Sequence, residues 1–221
     1  MLGVPQMIQT PPTFTWAKLN EAPDGPGVYA WYVRLFLGDA DLRAFESEVE
    51  AKRDRADGQA NQVVSGMLDR HFFHPFQETP YKVRLDGPLK PKYRGELAHE
   101  SSSSEGLVER LVANPSRLRP IANVLNLAAP FFTAPLYIGM ATNLRHRLLQ
   151  HKGMINDFAD NPGLTGSDEG SAGFAKQVIK RGFNPTQLFV ACIPIEGIDQ
   201  QEQVDLENIL NRINFPIFGR N

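Results

Sequence analysis

Arg147 and His151 stand four residues apart in the run Leu144-Arg145-His146-Arg147-Leu148-Leu149-Gln150-His151, so a helix would show both on one side. A guanidinium can hold an anionic oxygen, and an imidazole can pass a proton. Leu144 and Leu148 repeat the spacing one step round and form the expected packing face. Just before them, Pro135-Leu136-Tyr137-Ile138-Gly139 reads as a short strand and its exit turn. Thr142 or Asn143 is then placed to cap the helix. Tyr137 thus stands at a strand end, facing the Arg/His pair.

Several other elements must hold that group in position. Residues up to Pro12, with Pro5 and Pro11, read as an extended arm, and Trp16 to Ala22 as a short helical turn. Pro23-Asp24-Gly25-Pro26-Gly27 is dense turn chemistry that opens into a strand, Val28 to Val33. Asp39 to Asp57 reads as a charged helix with a narrow apolar stripe of Leu42, Phe45 and Val49, and Gln59 to Arg70 as a second helix. Tyr81 to Leu85 is a short strand. From Tyr81 to Arg94 the chain carries Lys82, Arg84, Lys90, Lys92 and Arg94 against Asp86, with two tyrosines among them. Such a mixture suits nucleic-acid contacts and equally describes an ordinary charged loop. Gly106 to Ala113 reads as a helix capped from Ser104 and Glu105, and another runs from Pro120 to Leu127. Asn161 to Gly173 is a loop by composition, and Phe174 to Arg181 a helix with Lys176 and Lys180 on one side. The apolar run Gln187 to Ile195 reads as a central, doubly covered strand. Gln200 to Ile213 is the last helix, stopped by Pro216.

The 221 residues are 42% hydrophobic and 22% charged, within the range of a globular protein of one domain, or of one domain with a large insertion. A net charge of −2 gives no global attraction for nucleic acid, so a phosphate-binding surface must be a local patch. The single cysteine, Cys192, sits in an apolar run and reads as a buried structural thiol. The start of the chain has no secretory pattern, and the longest apolar region is broken by Pro130 and Pro135. A soluble, cytoplasmic setting with no membrane partner is expected. His71 and His74 sit beside phenylalanines, His99 borders a serine tract and His146 points away from Arg147. No histidine has zinc spacing with Cys192.

Gly27-Val28-Tyr29 and Tyr137-Ile138-Gly139 together resemble the paired signature of the GIY-YIG nuclease superfamily. Arg147 follows Tyr137 at the family's spacing for its catalytic arginine, and His151 one turn later. Leu206-Glu207-Asn208-Ile209-Leu210 resembles the family's glutamate helix, and Pro216-Ile217-Phe218 its Pro-x-aromatic close. The resemblance implies an α/β (α+β) fold with a three-stranded antiparallel sheet between helices. Its core is 23–34 with 134–221, after an N-terminal arm 1–22. It leaves 35–133 as a mostly helical insertion inside what is usually a short hairpin, a candidate for substrate recognition. Gly219 stands where the family's asparagine usually follows, with Asn221 as the candidate replacement.

By resemblance, the activity is metal-dependent hydrolysis of DNA phosphodiesters, of a restriction or defence type. Glu207 would hold Mg²⁺ or Mn²⁺, and Arg147 would steady the phosphoryl charge. Tyr29 would be the base, with its phenol lowered by nearby positive charge; Tyr137 would orient water or phosphate and His151 relay the proton. Lys82, Arg84, Lys90, Lys92, Arg94, Lys176 and Lys180 are candidate nucleic-acid contacts. RNA as substrate and a homodimer that cuts both strands are also compatible. Taken singly, each tyrosine reads as core packing, and Arg147, His151 and Glu207 as solvated helix faces. Two other functions remain open: a non-catalytic nucleic-acid or protein-binding module, and an interaction protein docking through Asp39 to Asp57.

Overall fold

In a computed structural model the described residues are 10–55, 57–78, 80–88, 92–99, 103–161, 173–195, 197 and 199–219. The strands are β1 (Thr13–Thr15), β2 (Gly27–Val33), β3 (Tyr81–Leu85), β4 (Tyr93–Leu97), β5 (Tyr137–Ala141) and β6 (Leu188–Pro194). The principal helices are α1 (Asp39–Lys52), α2 (Gln59–Leu68), α3 (Glu105–Ala113), α4 (Leu118–Phe132), α5 (Leu144–Asp160), α6 (Gly173–Lys180) and α7 (Gln200–Asn214). The chain forms two compact units, Met1–Arg34 with Pro130–Asn221, and Leu35–Ala129.

The first unit is built on a four-stranded antiparallel sheet in the order β1-β6-β2-β5. The mixed α/β class holds, while the expected three strands become four. Thr13, Phe14 and Thr15, within the expected N-terminal arm 1–22, pair with Ala191, Val190 and Phe189 and cover the edge of β6. Three residues carry too weak a local pattern to announce a strand; a free row of partners on β6 makes one. β6 is interior, and Leu188, Val190 and Cys192 are buried. Its second face is incompletely covered, because Ile193 is 47% exposed. The Cys192 thiol is pushed up to about 12 by burial, the behaviour of an inert core cysteine.

The pairing of β2 with β5 joins segments separated by roughly a hundred residues, a closure whose entropic cost grows only logarithmically with length. Tyr29 lies opposite Gly139 and Trp31 opposite Tyr137, so Tyr29, Trp31 and Tyr137 share one face. The approach is close: a Cβ on Gly139 would lie 2.6 Å from the Tyr29 hydroxyl and 2.9 Å from the Tyr137 ring. Only glycine leaves room for both phenols.

The second unit packs Leu42, Phe45 and Val49 of α1 against Val64 and Leu68 of α2, Val108 and Leu111 of α3, and Leu118 and Ala122 of α4. The apolar stripe of α1 therefore serves this internal core, and its charged faces remain outside. An ion pair from Arg119 to Asp39 ties α4 to α1. The insertion is not only helical: β3 and β4 form a separate antiparallel ribbon, and the local pattern of Tyr93–Leu97 does not announce its strand. No helix among the described residues is long and apolar enough to cross a membrane.

Candidate active site

The turn Pro23–Gly27 does two tasks, because it launches β2 and caps α5. The amide of Leu144 donates to the Gly25 carbonyl at 2.8 Å, and that of Arg145 to the Pro23 carbonyl at 3.1 Å. Asn143 is the N-cap, its side chain accepting from the His146 amide at 2.9 Å. Arg145 adds a bond from Nε to the Ala22 carbonyl and an ion pair with Asp24. These bonds fix the first turn of α5 against the start of β2. Leu144 and Leu148 then bury completely, as their spacing predicts. The same rotation turns Arg147 and His151 toward the tyrosine face of the sheet.

His151 is fully buried, and its Nε2 lies 2.9 Å from the Tyr29 hydroxyl. Which atom donates follows from the imidazole tautomer. Tyr29, Tyr137, Trp31 and Phe174 surround the imidazole with ring centroids 5.3–6.3 Å away. Burial, with the Arg147 charge second, pushes His151 down to about 3, so it is neutral at physiological pH. Its Nδ1 has no hydrogen-bond partner among the described residues.

Tyr29 is 1% exposed. Burial raises its phenol well above the ordinary range, and the neighbouring Tyr137 and Glu207 add to the rise. Arg147 opposes this through both a hydrogen bond to the phenol and its charge. The expected lowering by positive charge is present as one contribution, but desolvation outweighs it. Arg147 is half-buried and also donates to Gln150 Oε1 at 2.6 Å.

Tyr137 and Glu207, both half-buried, line a cavity of about 450 Å³ with Ile138, Val204, Asn208, Asn211 and Arg212. Its helix, α7, begins with a reciprocal capping box between Asp199 and Glu202. The chain beyond α7 is pinned to the start of β5, with the Ile217 and Phe218 amides donating to the Pro135 and Leu136 carbonyls at 3.0 and 2.8 Å. Phe218 packs on Phe174 and Phe183, under the Arg181 guanidinium. The Pro-x-aromatic segment thus braces the strand that carries Tyr137.

Tyr29, Tyr137, Arg147, His151 and Glu207 accordingly gather in one unit, the first three around the His151 imidazole and Glu207 lining the same cavity as Tyr137. Lys176 is half-buried and Lys180 exposed on α6, outside that lining. Lys82, Arg84, Lys92 and Arg94 are exposed in the other unit. Asn221 and Lys90 lie outside the described residues. The sequence reading missed Trp31 and Phe174, which enclose His151, and Asn208, Asn211 and Arg212, which share the cavity with Glu207. Asn211 and Arg212 follow Glu207 by about one turn of α7, the signal that could have found them, and Asn208 is its immediate neighbour in the chain.

No group of three or more ligating side chains that could hold a metal occurs among the described residues. One carboxylate and the side-chain amides of Asn208 and Asn211 facing a cavity are nonetheless hard oxygen chemistry, suited to an ion that keeps much of its water. Comparison with protein-family models, curated proteins and solved structures finds no match to this chain.

Proposed function

We propose that the chain is a metal-dependent endonuclease that hydrolyses DNA phosphodiesters on a core resembling the GIY-YIG nucleases. The observation that carries this reading is the β2–β5 register, which sets Tyr29 against Gly139 with Tyr137 on the same face, over Arg147 and His151. Chance matches to short triplets would not be expected to converge on one imidazole.

In the proposed reaction, water oxygen bonds to phosphorus, one water proton passes to a base, and the P–O3′ bond breaks as the leaving oxygen regains a proton. Arg147 meets the phosphoryl oxygens and stabilises charge that grows in the transition state. Tyr29 acts as base only as a phenolate, which burial opposes and the Arg147 hydrogen bond favours. In the tautomer with hydrogen on Nε2, His151 adds a second donor to that phenolate. Tyr137, which reaches the cavity, orients water or phosphate. Mg²⁺ or Mn²⁺ held by Glu207 would supply positive charge at the phosphoryl group and acidify a bound water. DNA is the substrate proposed, and a homodimer is the proposed route to cutting both strands.

Purified protein is expected to nick or cut plasmid DNA with Mg²⁺ or Mn²⁺. Glu207→Ala and Arg147→Ala should each lose on the order of a hundredfold or more in rate. Cleavage that survives both substitutions refutes the assignment. The near-complete burial of Tyr29 favours a second reading, a binding module that retains the fold without turnover. Salt-sensitive DNA binding with no cleavage under any divalent ion would establish that alternative.

A further inference from the structure

The β3–β4 ribbon has two unlike faces. Register pairs Tyr81 with Leu97, Val83 with Gly95 and Leu85 with Tyr93 on one side. On the other side Lys82 faces Glu96, and Arg84 faces Arg94. Every described residue of the two strands except Val83 is exposed. Directly opposed like charges destabilise an antiparallel pair, and an isolated two-stranded ribbon is already marginal in water. Asp86 answers only part of this, sitting 2.6 Å from Arg84 Nε and 4.0 Å from Lys92 Nζ. Arg94 has no carboxylate within ion-pair distance among the described residues. The register thus sets two exposed arginines opposite each other, where an external array of acceptors would relieve their repulsion.

Resting on the nuclease reading for its substrate class, we propose that this ribbon enters the major groove of duplex DNA and reads guanine edges through Arg84 and Arg94. A major groove about 12 Å wide admits a two-stranded ribbon, and arginine fits the O6 and N7 acceptors of guanine with two bonds. Lys82 and Lys92 flank the pair and contact phosphates, which adds affinity without sequence preference. Two neighbouring arginines define two positions of the recognised sequence. The net charge of −2 leaves this local face to supply the attraction that the whole molecule lacks.

The test uses full-length Glu207→Ala protein and a pool of randomised duplexes, selected by gel shift. The preferred duplex is expected to contain guanine. Replacing that guanine by 7-deazaguanine, which lacks the major-groove N7, should weaken binding about tenfold or more. The Arg84→Lys/Arg94→Lys double variant keeps the charge but loses the fork, so it should bind duplexes with flattened preference. Lys82→Gln should weaken all duplexes alike and lower the salt slope by about 0.9. Circular dichroism checks that each variant is folded. A preferred duplex without guanine, indifference to 7-deazaguanine, or unchanged selectivity in the double variant overturns the assignment. If the wild type cuts DNA but any of these holds, the ribbon reading falls and the nuclease reading stands. If the ribbon reads guanine but no variant or metal gives cleavage, the reverse is true.

Discussion

Titration of His151 offers the sharpest physical test of the core. Its pKa falls from 6.5 to about 3 in the folded protein, chiefly because the imidazole is fully buried. The unfolded chain therefore binds this proton first. Stability from this residue is complete above about pH 6.5 and declines as pH drops toward about 3. Each pH unit inside that window is worth about 1.4 kcal/mol. Going from pH 7 to pH 5 should thus remove about 2 kcal/mol through His151 alone, a large part of an ordinary domain's stability. Other groups titrate over the same range, so the wild type is compared with His151→Gln, which cannot gain a charge. Trp16 and Trp31 are the only tryptophans, and both belong to the unit that holds His151. Urea unfolding followed by tryptophan fluorescence then reports that unit without interference from the other. The wild type should lose about 2 kcal/mol more than the variant between pH 7 and pH 5. Parallel pH profiles would refute the claim that a neutral, desolvated imidazole is built into this fold.

Gly139→Ala drives a Cβ into the Tyr29 hydroxyl and the Tyr137 ring. It should cost about 1–3 kcal/mol in the same urea assay, and cleavage should fall with it; an unperturbed midpoint would contradict the packing. Tyr29→Phe removes the hydroxyl from a buried imidazole nitrogen at 2.9 Å. A loss of about 1–3 kcal/mol and of cleavage is expected, whereas retained cleavage would exclude Tyr29 as the base. Asp199→Ala takes away one half of the capping box of α7, the helix that carries Glu207. Stability should drop by about 1 kcal/mol, with the loss read by urea unfolding; no change would mean that the box is idle. Because Tyr29 is held protonated by burial, cleavage at saturating metal should rise with pH above neutrality. A rate independent of pH from 7 to 9 would argue against a phenolate base.

Local pattern made much of this unit legible. The turn at Pro23–Gly27, the aromatic strand after it, the Asn143 cap and the Leu144/Leu148 face are decided by neighbours within a few residues, and they occur where the sequence puts them. The stop of α7 before Pro216 and the apolar character of β6 are equally local. β1 and β4 were not legible for the opposite reason. Thr13–Thr15 is a strand because β6 offers it an edge, and Tyr93–Leu97 because β3 lies beside it.

The candidate site residues were thus available from the sequence through the resemblance that their ordered motifs carry, as was their order along the chain. Their electrostatics were not. A tyrosine and a histidine carry ordinary proton affinities in an open chain, and the sequence suggested a phenol lowered by nearby cations. The packed protein raises it instead, and lowers the imidazole, because stripping water from either group disfavours its charged form more than Arg147 can offset at Tyr29. The membership of Asn208, Asn211 and Arg212 in the cavity, and the opposition of Arg84 to Arg94, likewise came from the tertiary structure. Helices and turns are settled by contacts a few residues away, whereas burial and strand register depend on partners brought from far along the chain.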